Sequence, residues 1–139
     1  MSDIYNERIL ALSKDQTLTG AFEEPDHEAT LTNPLCGDRV HIQFCCAEDQ
    51  ITAVRYRTRG CLLCKAASAL FAFSAPGMDR NDLLRLQQSL EASLKAPQGQ
   101  DIPFPAGHEI FAVLRSHRNR HGCVLLPYFA ALEAWRACR

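Results

Sequence analysis

Arg39-Val40-His41-Ile42-Gln43-Phe44-Cys45-Cys46 is the stretch on which the reading of the fold turns. Val40, Ile42, Phe44 and Cys46 fall on one side of a two-residue repeat; Arg39, His41, Gln43 and Cys45 fall on the other. That alternation marks a half-buried strand, because successive side chains of a strand point to opposite faces. Ala47-Glu48-Asp49-Gln50 reads as a hairpin turn, and Ile51 to Arg59 as the returning strand, with Val54 and Tyr56 on its apolar face. Glu28 to Asn33 is a candidate third strand.

Outward from this hairpin the periodicity turns helical. Gly60 breaks the strand. Leu62 to Ser74, rich in Ala, Leu and Phe, predicts a well-buried helix ended by Pro76-Gly77. Asp79 or Asn81 caps a following helix whose Leu83, Leu86, Leu90 and Leu94 make one stripe. Near the start, Asp3 caps a helix to about Ser13, with Ile4, Ile9 and Leu12 inward. Asp15 to Asp26 and the proline- and glycine-bearing stretch Pro97 to Gly107 read as irregular connections. His108 to Ser116 is a candidate short helix and Arg118 to Gly122 a basic loop. The last helix runs from about Val124 to Ala137, starting near Pro127, since proline is tolerated in a first turn. The expected architecture is α+β: a small antiparallel sheet with helices packed on one face, forming a single domain over residues 1–139.

With 139 residues, 47% of them hydrophobic, the chain buries a core without cross-links. A net charge of −1 supplies no global field toward nucleic acid or anionic lipid. No apolar run approaches the length of a membrane span. The cysteines number seven, an odd count, and Met1 to Arg8 lack a secretory pattern. Free or metal-bound thiols in a reducing cytoplasm are the expectation.

Three cysteines sit at element boundaries: Cys36 before a strand, Cys61 between hairpin and helix, Cys123 at the last helix. Loops held by a rigid scaffold are where sites are built, and a helix N-terminus favours a thiolate. Asp38, two residues after Cys36, is either an oxygen ligand beside a sulfur site or a carboxylate capping local N–H groups. Cys61 and Cys64 form a Cys-x-x-Cys, without the aromatic and proline context of a redox dithiol. Cys45 and Cys46 are adjacent on a strand and read as structural, with Cys46 buried. Cys138 reads as incidental. The cluster Arg115 to His121 lacks interleaved aromatics, which argues against nucleic-acid binding and for a local role beside Cys123. His121 is either a metal ligand or a solvated loop histidine. His41 and His108 show no convergent partners in sequence. No serine triad, phosphate loop or paired-carboxylate hydrolase pattern is present.

The stretch Asn33-Pro34-Leu35-Cys36-Gly37-Asp38-Arg39-Val40 is followed by Gly60-Cys61 leading into Ala66-Ala67-Ser68-Ala69, and then by Cys123. Together these motifs resemble the U-type iron–sulfur cluster assembly proteins, the IscU, SufU and NifU N-terminal family. The resemblance extends over nearly the whole chain, including the Ile4-Tyr5…Ile9-Leu10 segment and the Gly20 loop, and implies the SufE/NifU-like α+β fold. It looks closest to the SufU branch. The segment Gly77 to Gly107 corresponds to that branch's insertion, and Arg120 matches its arginine three before the last cysteine. The Leu-Pro-Pro-Val-Lys chaperone motif of the IscU branch is absent. Gly122 stands where IscU has histidine and SufU usually lysine. Cys64, Lys65 and Ala67 also depart from the family's usual residues.

The resemblance implies Zn²⁺ held by Cys36, Asp38, Cys61 and Cys123, with Cys123 as persulfide acceptor and Arg120 stabilising its thiolate. The protein would then act as zinc-dependent sulfurtransferase partner of a cysteine desulfurase. The alternative it implies is an IscU-like scaffold on which the same residues build a transient [2Fe–2S] cluster for apo iron–sulfur proteins or downstream carriers. A structural-zinc interaction module is a third class. In the first two, the three sulfurs and the Asp38 carboxylate converge at one accessible end of the domain.

Overall fold

The computed structural model describes residues 6–97, 99–100 and 102–137. Three strands, β1 (His27–Thr32), β2 (Arg39–Ala47) and β3 (Gln50–Arg59), form an antiparallel sheet in the order β1-β2-β3. Four helices accompany them: α1 (Glu7–Lys14), α2 (Leu62–Ser74), α3 (Arg80–Leu94) and α4 (His121–Ala137). Helices α2 and α4 pack on the sheet, while α1 packs on α2 and α3 on α4. The α+β architecture expected from the hairpin pattern is the one observed.

The hairpin turns through Glu48 and Asp49, both with positive φ (53° and 67°), as a two-residue turn matched to strand twist requires. The alternation holds through Val40, Ile42 and Phe44, which are fully buried. It is then adjusted by a bulge. Cys45 pairs with Ala53 but Cys46 with Ile51, leaving Thr52 as an extra residue on β3. This shift of parity allows Ile51 to share the buried face with Val54 and Tyr56. It also sits at the fraying end of the sheet, so Cys46 is half-buried where the alternation predicted full burial.

Helix α2 starts and ends where composition predicted. Helix α3 is fixed by a capping box: Asp79 accepts from the Asp82 N–H at 2.8 Å, and Asp82 returns the favour to the Asp79 N–H at 3.1 Å. Asp3 and Ile4 lie outside the described residues; within them, α1 is capped by Asn6, whose side chain accepts from the Ile9 N–H. Cys138 also lies outside them.

Two expectations near the C-terminal end need correction. Residues 109–114 form a 3-10 helix, and Arg118–Arg120 another, so the basic stretch is an ordered approach to α4 rather than an open loop. Helix α4 begins at His121 and contains Pro127 internally. Proline lacks the N–H that would bond the Cys123 carbonyl, a cost of about 3 kcal/mol in an isolated helix. Burial outweighs it here: Val124, Tyr128, Ala130, Ala131 and Ala134 are all fully buried. His108, which had no partner visible in sequence, is buried between the Ala106 carbonyl at 3.0 Å and the Tyr128 hydroxyl at 2.7 Å.

Candidate metal and sulfur site

The site lies at one end of the sheet, where the loop into β2, the end of β3 and the start of α4 meet. The first loop is built by Asn33. Its N–H donates to the Asp38 carbonyl at 2.8 Å, its carbonyl accepts from the Gly37 N–H at 2.7 Å, and its Oδ1 accepts from the Leu35 N–H at 3.0 Å. Gly37 takes φ 79°, which lets the chain reverse and bring Cys36 and Asp38 to the same centre. Asn33 also reaches across to α4: a Cβ on Gly122 would lie 2.7 Å from its Nδ2. Sequence reasoning passed over this role of Asn33 and Gly122, because their contact joins positions far apart in the chain.

Asp38 is held just as closely. It is only 4% exposed, and Oδ1 accepts from the Cys61 N–H at 3.0 Å while Oδ2 lies 3.2 Å from Cys61 Sγ. A Cβ on Gly60 would sit 2.4 Å from Asp38 Oδ1, so the break that ends β3 is also what admits the carboxylate. Cys61 is the N-cap of α2, and Cys123 lies in the first turn of α4. The Sγ atoms of Cys36 and Cys123 are 3.8 Å apart, and these two with Asp38 offer ligand atoms all within 4.8 Å of one another. Cys61 contacts the group through Asp38. Cys36, Asp38 and Cys123 are thus brought into one cluster and Cys61 stands beside it, outside the 4.8 Å group; Cys36 is exposed, Cys61 half-buried and Cys123 only 1% exposed.

The pocket crowds acidic protons. Burial would raise the Asp38 pKa, but hydrogen bonds from the Cys61 thiol and N–H, and from Cys123 and Cys36, outweigh it and hold the carboxyl below its usual range. The Cys123 thiol, donating to Cys61, lowers the Cys61 pKa and is itself pushed up, by that bond and by burial. Cys61 and Cys123 therefore share protons as one hydrogen-bonded pair beside Asp38.

Arg120, three residues before Cys123, is half-buried and forms no ion pair with Asp38 among the described residues. His121 is neither a solvated loop residue nor aimed at the sulfurs: it is 6% exposed, with Nε2 2.7 Å from the Leu114 carbonyl. Cys64, one helical turn beyond Cys61, is fully buried, and burial pushes its thiol far up. It belongs to the core.

The donor set suits zinc. Two sulfurs on one tetrahedral ion with bonds of about 2.3 Å stand about 3.8 Å apart, the separation Cys36 and Cys123 show. Three thiols with one carboxylate are equally acceptable to iron.

Topology and site together place the chain among small α+β domains that carry cysteines and an aspartate at one end of a three-stranded antiparallel sheet. Residues 4–123 match the NifU-like N terminal domain, and the chain belongs to this family, the U-type group of iron–sulfur cluster assembly proteins. It is 24% identical over 89 residues to the iron–sulfur cluster assembly scaffold proteins IscU 1 and IscU 2 of Archaeoglobus fulgidus, a stretch covering 64% of this chain. That stretch spans 58% of the length of each of those relatives. Among solved structures, the N-terminal NifU-like protein of Brucella abortus superposes with a TM-score of 0.86 at 27% identity, covering 96% of this chain and 93% of that one. An iron–sulfur cluster assembly scaffold protein for the SUF system from Fervidobacterium islandicum AW-1 has a TM-score of 0.82 at 23% identity, covering 95% and 96%. It shares the fold. No helix among the described residues is long and apolar enough to cross a membrane.

Proposed function

We propose that this chain serves iron–sulfur cluster assembly in the manner of the SufU branch, accepting persulfide sulfur from a cysteine desulfurase at a zinc site of Cys36, Asp38, Cys61 and Cys123. The observation that carries this reading is the convergence of two sulfurs 3.8 Å apart with an ionised carboxylate, from two segments far apart in the chain. Zinc, when bound, supplies the positive charge that keeps thiols ionised at neutral pH. That contribution matters most at Cys123, whose thiol is otherwise held protonated by Cys61 and by burial.

The transfer itself is thiol–persulfide exchange. The Cys123 thiolate attacks the outer sulfur of the desulfurase persulfide; the bond between that sulfur and the donor cysteine breaks; the donor leaves as a thiolate. The product is a persulfide on Cys123, with no net oxidation or reduction. Cys36, an exposed residue, marks the accessible side of the pocket. Arg120 is the nearest guanidinium in sequence to Cys123, and we assign it to the charge that builds on the acceptor.

The second reading is an IscU-like scaffold, in which the same ligands hold a transient [2Fe–2S] cluster as cargo for apo-proteins or downstream carriers. The similarity to the Archaeoglobus scaffold proteins favours it. Asp38 would then be the harder, weaker ligand that keeps the cluster labile. Metal analysis and an ultraviolet–visible spectrum of anaerobically purified protein, beside alanine production by the desulfurase, separate the two. Zinc with stimulated alanine release supports sulfur transfer. A cluster spectrum, no stimulation and delivery to an apo-protein support the scaffold.

A further inference from the structure

The solvent face of the sheet carries an unneutralised basic end beside the cysteine pocket. Arg39 pairs directly with Arg59 across β2 and β3, and His41 with Arg57. Like charges directly opposite in a sheet are destabilising, yet β1 supplies only Thr32 and Thr30 at these levels. The acid on that face, Glu28, is taken by His41 at 3.2 Å and by Gln43 at 3.0 Å. Arg39, Arg57 and Arg59 form no ion pair among the described residues. With Thr30, His41 and Thr58 they line an open trough of about 380 Å³. Further along the same face the Phe22 N–H donates to Gln43 and the Phe22 ring lies against Arg55, so that part is covered by the loop.

Its position ties it to the pocket. Arg39 follows Asp38 directly, and Arg59 precedes Gly60-Cys61. Leu35, immediately before Cys36, is 93% exposed. An apolar anchor beside a charged flank is how protein interfaces are composed.

From this geometry we infer that the Arg39–Arg57–Arg59 end of the sheet is a docking surface for an acidic patch on the sulfur-donating desulfurase, with Leu35 as its apolar anchor. The inference rests on the sulfur-transfer reading above. Exchange requires sulfur-to-sulfur contact, so the donor must close over the loop that carries Leu35 and Arg39. Complementary charge at that rim raises the rate of productive encounter. A nucleic-acid role is disfavoured: no Phe, Tyr or Trp lines the trough, and the net charge of −1 gives no long-range attraction for a polyanion.

The test uses the whole chain, zinc-loaded, with the cysteine desulfurase of its source organism. Association is measured at low and high salt for wild type, Arg57→Glu/Arg59→Glu and Arg59→Gln. The reversal should weaken binding at least tenfold at low salt and flatten its salt dependence, with zinc content and thiol count unchanged. Arg59→Gln should weaken binding less while raising the melting temperature, since it removes a like-charge pair; a merely structural arginine would lower it. Wild type that binds the desulfurase, with variants of equal affinity and equal salt dependence, overturns the docking surface alone. Wild type that neither binds nor stimulates the desulfurase overturns the functional reading and the docking surface together. Charge-dependent binding of an RNA oligonucleotide or of phosphatidylserine vesicles in place of the desulfurase reassigns the patch and overturns it too.

Discussion

Gly60→Ala isolates the packing that admits Asp38 into the sulfur pocket. The backbone of Gly60 does not occupy the left-handed region, so the substitution tests space rather than backbone strain. Its new Cβ would lie 2.4 Å from Asp38 Oδ1, 2.6 Å from Cγ and 2.9 Å from Cβ, so no rotation of the carboxylate alone relieves the clash. Asp38 must move, giving up the Cys61 N–H at 3.0 Å and the Cys61 Sγ contact at 3.2 Å. Overpacking in a tight site costs about 1–3 kcal/mol, and a hydrogen bond to a charged group is worth about 1.5–3 kcal/mol. The terms overlap, because one displacement relieves the first by losing the second. A net loss of about 2–3 kcal/mol is expected, which lowers the melting temperature by roughly 5–12 °C in a chain of this size. Urea unfolding of the metal-free protein reads this directly, and zinc content after reconstitution should fall in parallel. Combining Gly60→Ala with Asp38→Gly removes the obstacle, because all three crowding atoms, the Asp38 Cβ at 2.9 Å included, are then gone. The Gly60→Ala change should then cost under about 0.5 kcal/mol, so the pair shows strong non-additivity. Equal cost of Gly60→Ala with and without the Asp38 side chain would refute the reasoning, as would wild-type stability and zinc binding in the single variant.

Gly122→Ala should be milder, about 1 kcal/mol, because the atom it meets is the movable amide end of Asn33 rather than a fixed carboxylate; equilibrium unfolding compares the two glycines. Asp38→Ala should leave a cluster held longer or change the rate at which zinc is exchanged to a chelator, whereas unchanged metal content and exchange would favour the loop-capping role alone. Cys123→Ser should abolish stimulation of the desulfurase in an alanine-release assay with persulfide labelling, while Cys64→Ser leaves stimulation nearly intact; full stimulation by Cys123→Ser would remove it as acceptor. Burial holds the His108 pKa below the ordinary value of 6.5, so the unfolded chain takes up the extra proton first. The stability from the neutral ring is complete above about pH 6.5 and is lost as pH falls below it toward the folded value. Unfolding measured between acidic and neutral pH should show this slope, and His108→Gln should flatten it.

The secondary structure was legible wherever one local rule dominated. The two-residue alternation of Val40, Ile42 and Phe44 located β2, and Gly60 and Pro76-Gly77 bracketed α2, because strand period and chain-breaking residues act within a few positions. Legibility failed where tertiary packing overrode a local preference. Pro127 argues for a helix start, yet α4 runs through it because its flanking side chains are buried. Cys46 is on the apolar phase of β2 but loses full burial at a bulge whose extra residue, Thr52, belongs to the other strand. The identities of Cys36, Asp38, Cys61 and Cys123 as a set were readable from their motifs. Their coupling was not: Cys61 and Cys123 act as one hydrogen-bonded pair only because folding brings two distant segments together. The fate of His121 was likewise settled by a carbonyl seven residues back that a 3-10 helix turns toward it. The basic end of the sheet exists only in register, since Arg39 and Arg59 lie twenty positions apart and become neighbours when β2 pairs with β3. Sequence determines which groups are available; the register of strands and the approach of backbone to side chain decide which of them meet, because desolvation and charge act through space rather than along the chain.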